Sequence, residues 1–542
     1  MEKAAYSPEP QNRPAGDRVK LSRIPENWRI PALLFLLLCV VILTIQTAGG
    51  AWQGEFSGHA DEPGQFVSGL MVHDYLAQRP AGNPLDWAIR YYLHYPKIAL
   101  GRWPPGFALI EAFWWILFAP SRISVILLEG TIALLSAMLF FPLAERLAGV
   151  RIALASTLLL VCSPIVAASY SSCMADAPCL LASVLVLRAV VRIVERPSLR
   201  AFLAFGGWVV FAISMKGTGA LMALAPLLAL GFSGQLRWLF NRRLVAAFAV
   251  VALIMAAMFL ARPRLFLWIL SVGAVGTLRS TSDLFLPMLA GYGVCVLAAC
   301  GLVAAVSART KGPLAVAAAA CLVSVVSESF FVGAMIEPRH WIVALPSLLL
   351  LSLVTLTWVK IPPAVRVVAG AAAVALVPFH FAFTAPAGIS AFVRRVHHPG
   401  RMMVAGTIVS TGTNQRENEG PWIAAVALAE KRPGSVVIRA SKALASMDWN
   451  GNHYKLLSGT PAEIEDRLDE LRVDTVVLYE SPEQFVQPHL GLLRQLMSSS
   501  PSWRLHARSG YLSAWERVLP ARLPAKPLQV DLRSSLGRIV SE

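Results

Sequence analysis

Five charged side chains at the ends of apolar segments could together carry out group-transfer chemistry. Asp61 and Glu62 stand side by side after the first apolar segment, and Asp176 opens a later one. Lys216 and Arg339 each lie between two further apolar segments. A carboxylate can act as a general base toward a hydroxyl or amine, and a cation can hold a phosphate group. These residue types therefore could supply a base next to a phosphate-binding site.

Each of these residues also has a plainer structural interpretation. Asp176, followed by Pro178, fits a helix N-cap. The Lys216-Gly217-Thr218-Gly219 stretch fits a turn, and it is no Walker loop because the glycine-rich lead and its strand are missing. Arg339 at a helix entrance could simply extend its guanidinium to the membrane interface. Single positions therefore do not decide between a site and a set of solvated helix ends.

The composition identifies a polytopic membrane protein. Of the 542 residues, 56% are hydrophobic and only 15% are charged, and the apolar runs reach the roughly 20 residues that a spanning helix needs. The net charge of +16 falls largely in short linkers, where positive-inside topology explains it. We therefore expect no nucleic-acid partner. The seven cysteines show no disulfide framework and no zinc spacing.

The order of apolar and basic segments predicts the topology. A basic tail, 1–30, should stay in the cytoplasm, and five basic linkers agree with this orientation. The first span leads to an extracytoplasmic loop, 51–106, which is followed by a short interfacial helix. A second interfacial helix is predicted at 262–283. The eleven predicted spans are about 31–47, 121–145, 151–170, 176–194, 199–215, 218–234, 244–261, 284–307, 313–334, 340–359 and 364–385.

An odd number of spans places residues 387–542 on the extracytoplasmic side, which is the periplasm in the predicted location, a bacterial inner membrane. Helix-like and strand-like stretches alternate there, with a helix at 421–431, a strand at 436–438, a capped helix opening at Thr460 and a strand at 475–479. The fold class is therefore an all-α membrane domain, 31–386, followed by a small soluble α/β domain.

With this topology, the ionisable residues near the spans gather on the outer side. They are Asp61, Glu62, Asp176, Lys216, Asp283, Glu328, Glu337, Arg339 and His340, with Glu129 in the outer half of its span. Placing a charged side chain at membrane depth costs several kcal/mol of free energy unless the charge is paired or hydrated. Their clustering predicts one polar site that opens to the outside.

Several short motifs occur in a characteristic order. They are Asp61-Glu62, Tyr95-Pro96, Trp103-Pro104-Pro105-Gly106, Asp176-Ala177-Pro178, Ser214-Met215-Lys216-Gly217 and Glu337-Pro338-Arg339-His340-Trp341. Over roughly residues 30–385 this order resembles the GT-C glycosyltransferases. The similar branch is the protein O-mannosyltransferase and lipid A aminoarabinose transferase type, including family 39 and Rgt-like bacterial members.

The resemblance implies a transfer reaction and a role for each residue. Asp61 would be the catalytic base, with Glu62 and Asp176 supporting it. The phosphate of a polyprenyl-phosphate sugar donor would lie on Lys216 and Arg339, with His340 beside them. The acceptor would be a glycan, a lipid or a protein.

Two features of the family leave questions open here. Some relatives use a divalent metal, and Asp61, Glu62 and Asp176 could bind Mg²⁺ or Mn²⁺. Relatives often have His before the Pro-Pro pair, where this chain has Trp103; His94 or His59 could take that place. The sequence names neither the sugar nor the acceptor.

Two other classes of protein compete with a glycosyltransferase. A lipid or glycan transporter or flippase would place charges near the bilayer midplane within repeated halves, and neither feature is visible. An assembly protein with a degenerate membrane core would have no need of the retained acids. Loss of activity on changing Asp61 would separate an enzyme from both.

Overall fold

The computed structural model describes most of the chain from Glu26 onward. The residues outside this description are 1–25, 57–58, 99, 102, 243–244, 246–248, 250–252, 254–284, 308–311, 332–336, 359–361, 376–387, 407, 412–413, 448–453, 481–486, 533–535 and 542. Most of the predicted tail, most of the predicted span 244–261, the predicted interfacial helix 262–283 and Asp283 therefore lie outside the described residues.

The part of the chain before residue 376 is helical wherever it is described as regular structure. Its helices are α1 (Glu26–Ala48), α2 (Glu62–Gln78), α3 (Pro84–His94), α4 (Gly106–Leu117), α5 (Arg122–Cys162), α6 (Pro164–Tyr170), α7 (Asp176–Glu195), α8 (Leu199–Met215), α9 (Ala225–Phe232), α10 (Phe285–Ser307), α11 (Pro313–Phe331), α12 (Leu345–Trp358) and α13 (Pro363–Ala375). Short 3-10 helices lie at Ala51–Gln53, Gly217–Met222, Leu236–Phe240 and Pro338–Ala344.

Five helical segments among the described residues are long and apolar enough to cross a bilayer. They are Arg29–Ala48, Arg122–Cys162, Asp176–Glu195, Leu289–Ser307 and Pro338–Trp358. A helix satisfies its own backbone hydrogen bonds, which a lipid environment requires. These segments confirm a multi-pass helical membrane protein. Because the other apolar helices are shorter, the count of eleven spans stays a prediction.

The 41-residue helix α5 contains a break that the sequence predicts. Gly149 has φ 77°, in the left-handed region that glycine tolerates and other residues avoid. The break falls between the predicted spans 121–145 and 151–170. One continuous helical run therefore corresponds to two separately predicted segments.

The polar loop after α1 folds into two helices that lie against the membrane domain. Helix α2 begins directly after Asp61, with Pro63 in its first turn, where a proline fits best. Phe66 of α2 is fully buried, and its ring lies 5.2 Å from that of Trp115 on α4. Asn83 caps α3 by accepting a hydrogen bond from the Leu85 N–H at 2.9 Å. This packing fixes α2, which carries Asp61 at its start.

The C-terminal region, residues 388–541, is a small α/β unit. Its helices are α14 (Ile389–Val396), α15 (Glu419–Ala429), α16 (Ala440–Ala443), α17 (Pro461–Glu470) and α18 (Pro488–Ser499). Its strands are β1 (Arg401–Gly406), β2 (Ile408–Thr411), β3 (Asn414–Glu417), β4 (Val436–Arg439), β5 (Ala445–Ser446), β6 (Lys455–Leu456), β7 (Thr475–Tyr479), β8 (Trp503–Ser509), β9 (Leu512–Arg517), β10 (Gln529–Leu532) and β11 (Arg538–Ser541). The four elements predicted in this region correspond to α15, β4, α17 and β7.

A five-stranded sheet organises this region, in the order β4-β1-β7-β9-β8. Strands β4, β1 and β7 are parallel, and β9 and β8 are antiparallel to their neighbours. Side chains alternate between the faces of a strand. Met402 and Val404 of β1 join the core shared with α15 and the membrane domain, whereas Met403 belongs to the core that includes α17 and α18. Helix α15 therefore lies between the sheet and the membrane domain.

Candidate functional site

Asp61 lies at the meeting point of the membrane helices and the loop. It is the residue preceding α2, and its backbone carbonyl accepts the first helical hydrogen bond, from the Gln65 N–H at 3.0 Å. Its Oδ2 accepts a hydrogen bond from Arg339 Nη2 at 2.7 Å. The side chain is 15% exposed. Asp61 is therefore tied to a cation on one side and still open to solvent.

Arg339 connects several acids because its planar guanidinium offers donors in different directions. It lies in the 3-10 helix Pro338–Ala344, which follows Glu337. Its Nε donates to Glu337 Oε2 at 2.6 Å, and its Nη1 lies 3.7 Å from Asp176 Oδ2. One arginine thus contacts three carboxylates that come from three separate parts of the chain.

A second cation completes the group. Asp176 begins α7, and Lys216 follows the last residue of α8. Lys216 Nζ donates to Asp176 Oδ1 at 2.6 Å. Asp176 is 2% exposed, whereas the Lys216 side chain is 19% exposed. We call Asp61, Asp176, Lys216, Glu337 and Arg339 the Arg339 cluster.

His59 joins the two ends of this cluster. Its Nδ1 accepts a hydrogen bond from the Asp61 backbone N–H at 3.1 Å, and its Nε2 lies 3.3 Å from Glu337 Oε2. A ring nitrogen that accepts carries no proton, so the neutral ring has its proton on Nε2, facing Glu337. The histidine that sequence analysis offered as a replacement for the family residue therefore does lie at the cluster, although its contacts are with Asp61 and Glu337.

The local charges and hydrogen bonds keep Asp61 and Glu337 ionised. Burial alone would raise the pKa of Asp61, but the charge of Arg339 and its hydrogen bond to this carboxylate outweigh that effect and hold the pKa below its usual value. Burial acts against Glu337 in the same way, and its hydrogen bond with His59 and the charge of Arg339 lower its pKa well below the usual range. Asp61 is therefore a carboxylate at neutral pH, as a general base must be.

Glu62 points away from the cluster. It is fully buried, and its Oε1 accepts hydrogen bonds from Arg122 Nε at 2.9 Å and from the Cys173 N–H at 3.2 Å. Arg122 also donates to the Ala51 carbonyl at 2.5 Å. These contacts tie α2, α5 and the turn before α7 together. Glu62 therefore holds together the segments around the start of α2.

The other predicted site residues are distributed more widely. His340 Nδ1 accepts a hydrogen bond from the Glu337 N–H at 3.2 Å, so its ring caps the turn beside the cluster. Glu328 accepts hydrogen bonds from the Leu224 N–H and from Ser324 Oγ, each at 3.0 Å. Both oxygens of Glu129 are buried and have no hydrogen-bond partner among the described residues. Asp283 lies outside the described residues.

The three acids proposed for a metal do not form a shared ligand set. Asp61 faces Arg339, Asp176 faces Lys216 and Glu62 faces Arg122. Within the described ranges, no group of three or more His, Cys, Asp and Glu side chains has the arrangement of a metal site. Because each carboxylate already holds its own cation, the donor set fits a salt-bridge cluster better than a divalent metal.

Sequence analysis missed two cations near the site. Arg122 stands at an ordinary helix start, and nothing in its neighbourhood in the sequence points to Glu62. Lys97 is buried beside the start of α2; burial and the charge of Arg439 lower its pKa to about 7, although the charges of Asp61 and Glu419 act in the opposite direction. The one feature of the sequence that could have pointed to Lys97 is its position within the polar loop 51–106.

The turn at Trp103-Pro104-Pro105-Gly106 lies against the segment that leads to Lys216. A Cβ at Gly106 would overlap the Ser214 carbonyl oxygen and the Met215 side chain. A Cβ at Gly64, in the first turn of α2, would lie 2.9 Å from the Trp103 ring. Two glycines thus allow this turn to pack closely between α2 and the end of α8.

Comparison with known proteins gives a family match and a fold match. Residues 102–261 match the family model described as dolichyl-phosphate-mannose-protein mannosyltransferase. The solved structure of ArnT from Cupriavidus metallidurans bound to undecaprenyl phosphate is similar, with a TM-score of 0.54 at 15% identity over 90% of this chain and 99% of that chain. For ArnT in the apo state the TM-score is 0.53 at 14% identity, over 89% of this chain and 98% of that chain. A search of curated proteins finds no significant match.

A weaker likeness is found to the archaeal oligosaccharyltransferase AglB from Archaeoglobus fulgidus, in complex with an inhibitory peptide and a dolichol-phosphate. Its TM-score is 0.49 at 10% identity, over 83% of this chain and 69% of that chain. The ArnT likeness and the mannosyltransferase match agree with the fold that the sequence predicts. The likeness to ArnT shows the GT-C fold, and the match of residues 102–261 indicates a membrane glycosyltransferase.

Proposed function

We propose that this protein transfers a sugar from a polyprenyl-phosphate donor to an acceptor at the extracytoplasmic face of the membrane, with Asp61 as general base. The observation that carries the proposal is the Arg339 cluster. In it the partly exposed, ionised carboxylate of Asp61 bonds to Arg339, and a second partly exposed cation, Lys216, bonds to Asp176, which also lies near Arg339. This is the charge arrangement that a displacement at a phosphate-linked carbon needs.

The reaction balances with these groups alone. Asp61 takes the proton of the acceptor hydroxyl or amine, and the acceptor atom forms a bond to the anomeric carbon. The bond between that carbon and the phosphate oxygen breaks, and the oxygen keeps the electron pair. Lys216 and Arg339 neutralise the phosphate as its negative charge grows. A single displacement of this kind inverts the anomeric centre.

The comparisons support the donor class. ArnT is described with undecaprenyl phosphate, and the matching family is described by a dolichyl-phosphate-linked sugar. Both are polyprenyl phosphates, so a donor of this type is the natural expectation for the cations beside Asp61. The acceptor could be a glycan, a lipid or a protein, and the positive-inside pattern of the linkers supports an outward-facing, periplasmic site in a bacterial inner membrane.

The test is transfer by purified protein in lipid. A panel of radiolabelled polyprenyl-phosphate sugars is offered with a membrane extract as acceptor to the wild type, Asp61→Asn and Asp86→Asn. Asn keeps the size of the side chain and suits a helix start, so folding should be preserved. Loss of a general base typically slows a reaction by about 10²- to 10⁴-fold.

Asp86→Asn is the matched control because Asp86 is exposed and lies on α3, away from the cluster. We expect it to transfer like the wild type. Normal transfer by Asp61→Asn would disprove the assignment of the base. If the wild type consumes no donor of the panel, the transporter or flippase hypothesis becomes the better one.

A further inference from the structure

Asp61 directly precedes helix α2, so contacts that position α2 also position this carboxylate. The C-terminal region contacts α2 at both ends, through α15 and the residue Arg432 that follows it. These contacts connect the C-terminal region to the helix that follows Asp61.

At the far end of α2, Asp74 forms a closed ion pair. Arg432 Nε donates to Asp74 Oδ2 at 2.7 Å, and Arg432 Nη2 donates to Oδ1 at 3.1 Å. The Tyr91 hydroxyl donates to the same carboxylate at 3.0 Å, and Asp74 is only 5% exposed. Arg432 also donates from Nη1 to the Ala427 carbonyl at 2.9 Å, near the end of α15. One guanidinium thus ties the end of α15 to the end of α2.

At the near end of α2, Gly420 lies against the turn that holds Asp61. A Cβ at Gly420 would lie 3.1 Å from Pro63 Cγ and 2.9 Å from Lys97 Cε. Lys97 Cε is near the end of a flexible side chain and can move aside, but the Pro63 contact is tighter than about nine in ten real Cβ contacts, so the first turns of α15 and α2 are closely packed here. A methyl group at position 420 would push against Pro63, two residues from Asp61.

Helix α15 is itself anchored to the sheet. Glu419 is fully buried, and it accepts hydrogen bonds from Arg439 Nε at 2.8 Å and from the Ser441 N–H at 2.9 Å. Arg439 ends strand β4 and Ser441 lies in α16. Contacts therefore run without interruption from the sheet, through α15, to both ends of α2, the helix that directly follows Asp61.

We propose that α15 and Arg432 form a brace that sets the position of Asp61, so that the C-terminal region takes part in catalysis without touching the substrates. Arg432 is a positioning residue, since it acts through Asp74 and α2. This inference rests on the proposed role of Asp61. A displacement of about 1 Å in a catalytic group can cost roughly 10²-fold in rate, so a small loss of bracing should be measurable.

The experiment compares turnover with donor binding in the full-length protein. Turnover uses the donor of the panel that the wild type consumes, and binding uses undecaprenyl phosphate without a sugar. We expect Arg432→Ala to lower kcat by about tenfold to 10²-fold while the Kd for undecaprenyl phosphate stays within about twofold, because Lys216 and Arg339 do not lie on α2. Arg432→Lys should recover part of the loss, since it restores one of the two charged donors.

Gly420→Ala tests the other end of the brace in case Arg432→Ala fails to fold. It should lower kcat by several-fold, whereas Gly491→Ala, in a helix with open space around the added methyl group, should have no effect. Arg508→Ala is the control for Arg432→Ala, since its side chain is 65% exposed.

The outcomes separate this inference from the proposed function. Wild-type kcat in both Arg432→Ala and Gly420→Ala, with Asp61→Asn inactive, would overturn the brace and leave the base in place. Equal losses of kcat and of undecaprenyl phosphate binding would also overturn it, because they indicate general unfolding. Activity in Asp61→Asn would remove the base and the brace together.

Discussion

Asp61 and Glu62 are neighbours in the chain, but their side chains enter two opposite environments. Asp61 faces the Arg339 cluster, where one arginine is shared among three carboxylates and every group but Asp176 keeps some exposure. Glu62 faces the interior, where it is 0% exposed and forms an ion pair with Arg122. The backbone N–H of Cys173 also donates to this carboxylate. One peptide bond thus separates an open polar site from a closed one.

The difference shows how the same chemical group serves catalysis or structure. A carboxylate that must take a proton needs an approach path and a neighbour that keeps it ionised without filling all its positions. A buried carboxylate whose partners are all protein groups holds segments together, and removing one partner leaves an uncompensated charge. The two carboxylates differ in their solvent exposure and in whether their cation is shared with other acids, and not in residue type.

The closed pair should give the largest effect on stability. Arg122→Met leaves Glu62 buried without its partner, so the free energy of unfolding should fall by about 3–5 kcal/mol. Denaturant unfolding of the purified protein in detergent measures this loss. Arg146→Met removes an exposed arginine paired with Glu195 and should change stability by less than about 1 kcal/mol. Equal stability of the two variants would contradict the assignment of Glu62 to the framework.

The open cluster should respond in activity instead. Lys216→Met removes one of the two cations proposed for the donor phosphate, and kcat/KM should fall by about 10²-fold, in line with the loss of one charge-stabilising donor. Undecaprenyl phosphate binding, measured on the same variant, should weaken as well. Lys455→Met, at an exposed position in the C-terminal region, is the control. Unchanged binding in Lys216→Met would assign this lysine to Asp176 alone.

Acid pH should expose the link between Arg339 and Asp61. Because the pKa of Asp61 is held below its usual value, the base is ionised above that pKa and activity is lost as the pH falls through it. Arg339→Gln removes the leading charge that lowers this pKa, so the acid limb of the kcat/KM profile should move to higher pH. A profile in which only the height changes would show that Arg339 acts on the donor and not on Asp61.

Chelation should have the smallest effect. Since Asp61, Asp176 and Glu62 each hold a different cation of the protein, we expect EDTA to leave the transfer rate unchanged. Loss of activity that Mg²⁺ or Mn²⁺ restores would show that a metal replaces one of these protein cations during the reaction.

The sequence predicts the fold and the open cluster better than it predicts the closed contacts. Hydropathy and basic linkers place Asp61, Asp176, Lys216 and Arg339 at segment ends on one side, and the structure brings these four residues together. Their proximity follows from topology, because residues at the same ends of neighbouring helices converge. Sequence reasoning can therefore find them without any knowledge of packing.

The closed contacts depend on packing between distant segments. Arg122 begins a helix like many arginines do, and no local pattern pairs it with Glu62, which lies 60 residues earlier in the chain. Arg432 and Asp74 are 358 residues apart, and they meet only because α15 lies between the sheet and α2. Such pairs are set by tertiary packing, which a single sequence does not encode in any local periodicity.

Gly106 carries a consequence for how natural variants of this chain can differ. A side chain at this position would meet the Ser214 carbonyl oxygen, which is part of the backbone and cannot rotate away, whereas the Met215 side chain could. Homologues that keep this close packing beside Lys216 should therefore keep glycine at position 106, while position 215 varies in size. A homologue with a larger residue at 106 should route the segment before its lysine differently, and its donor preference is the first property in which we expect it to diverge.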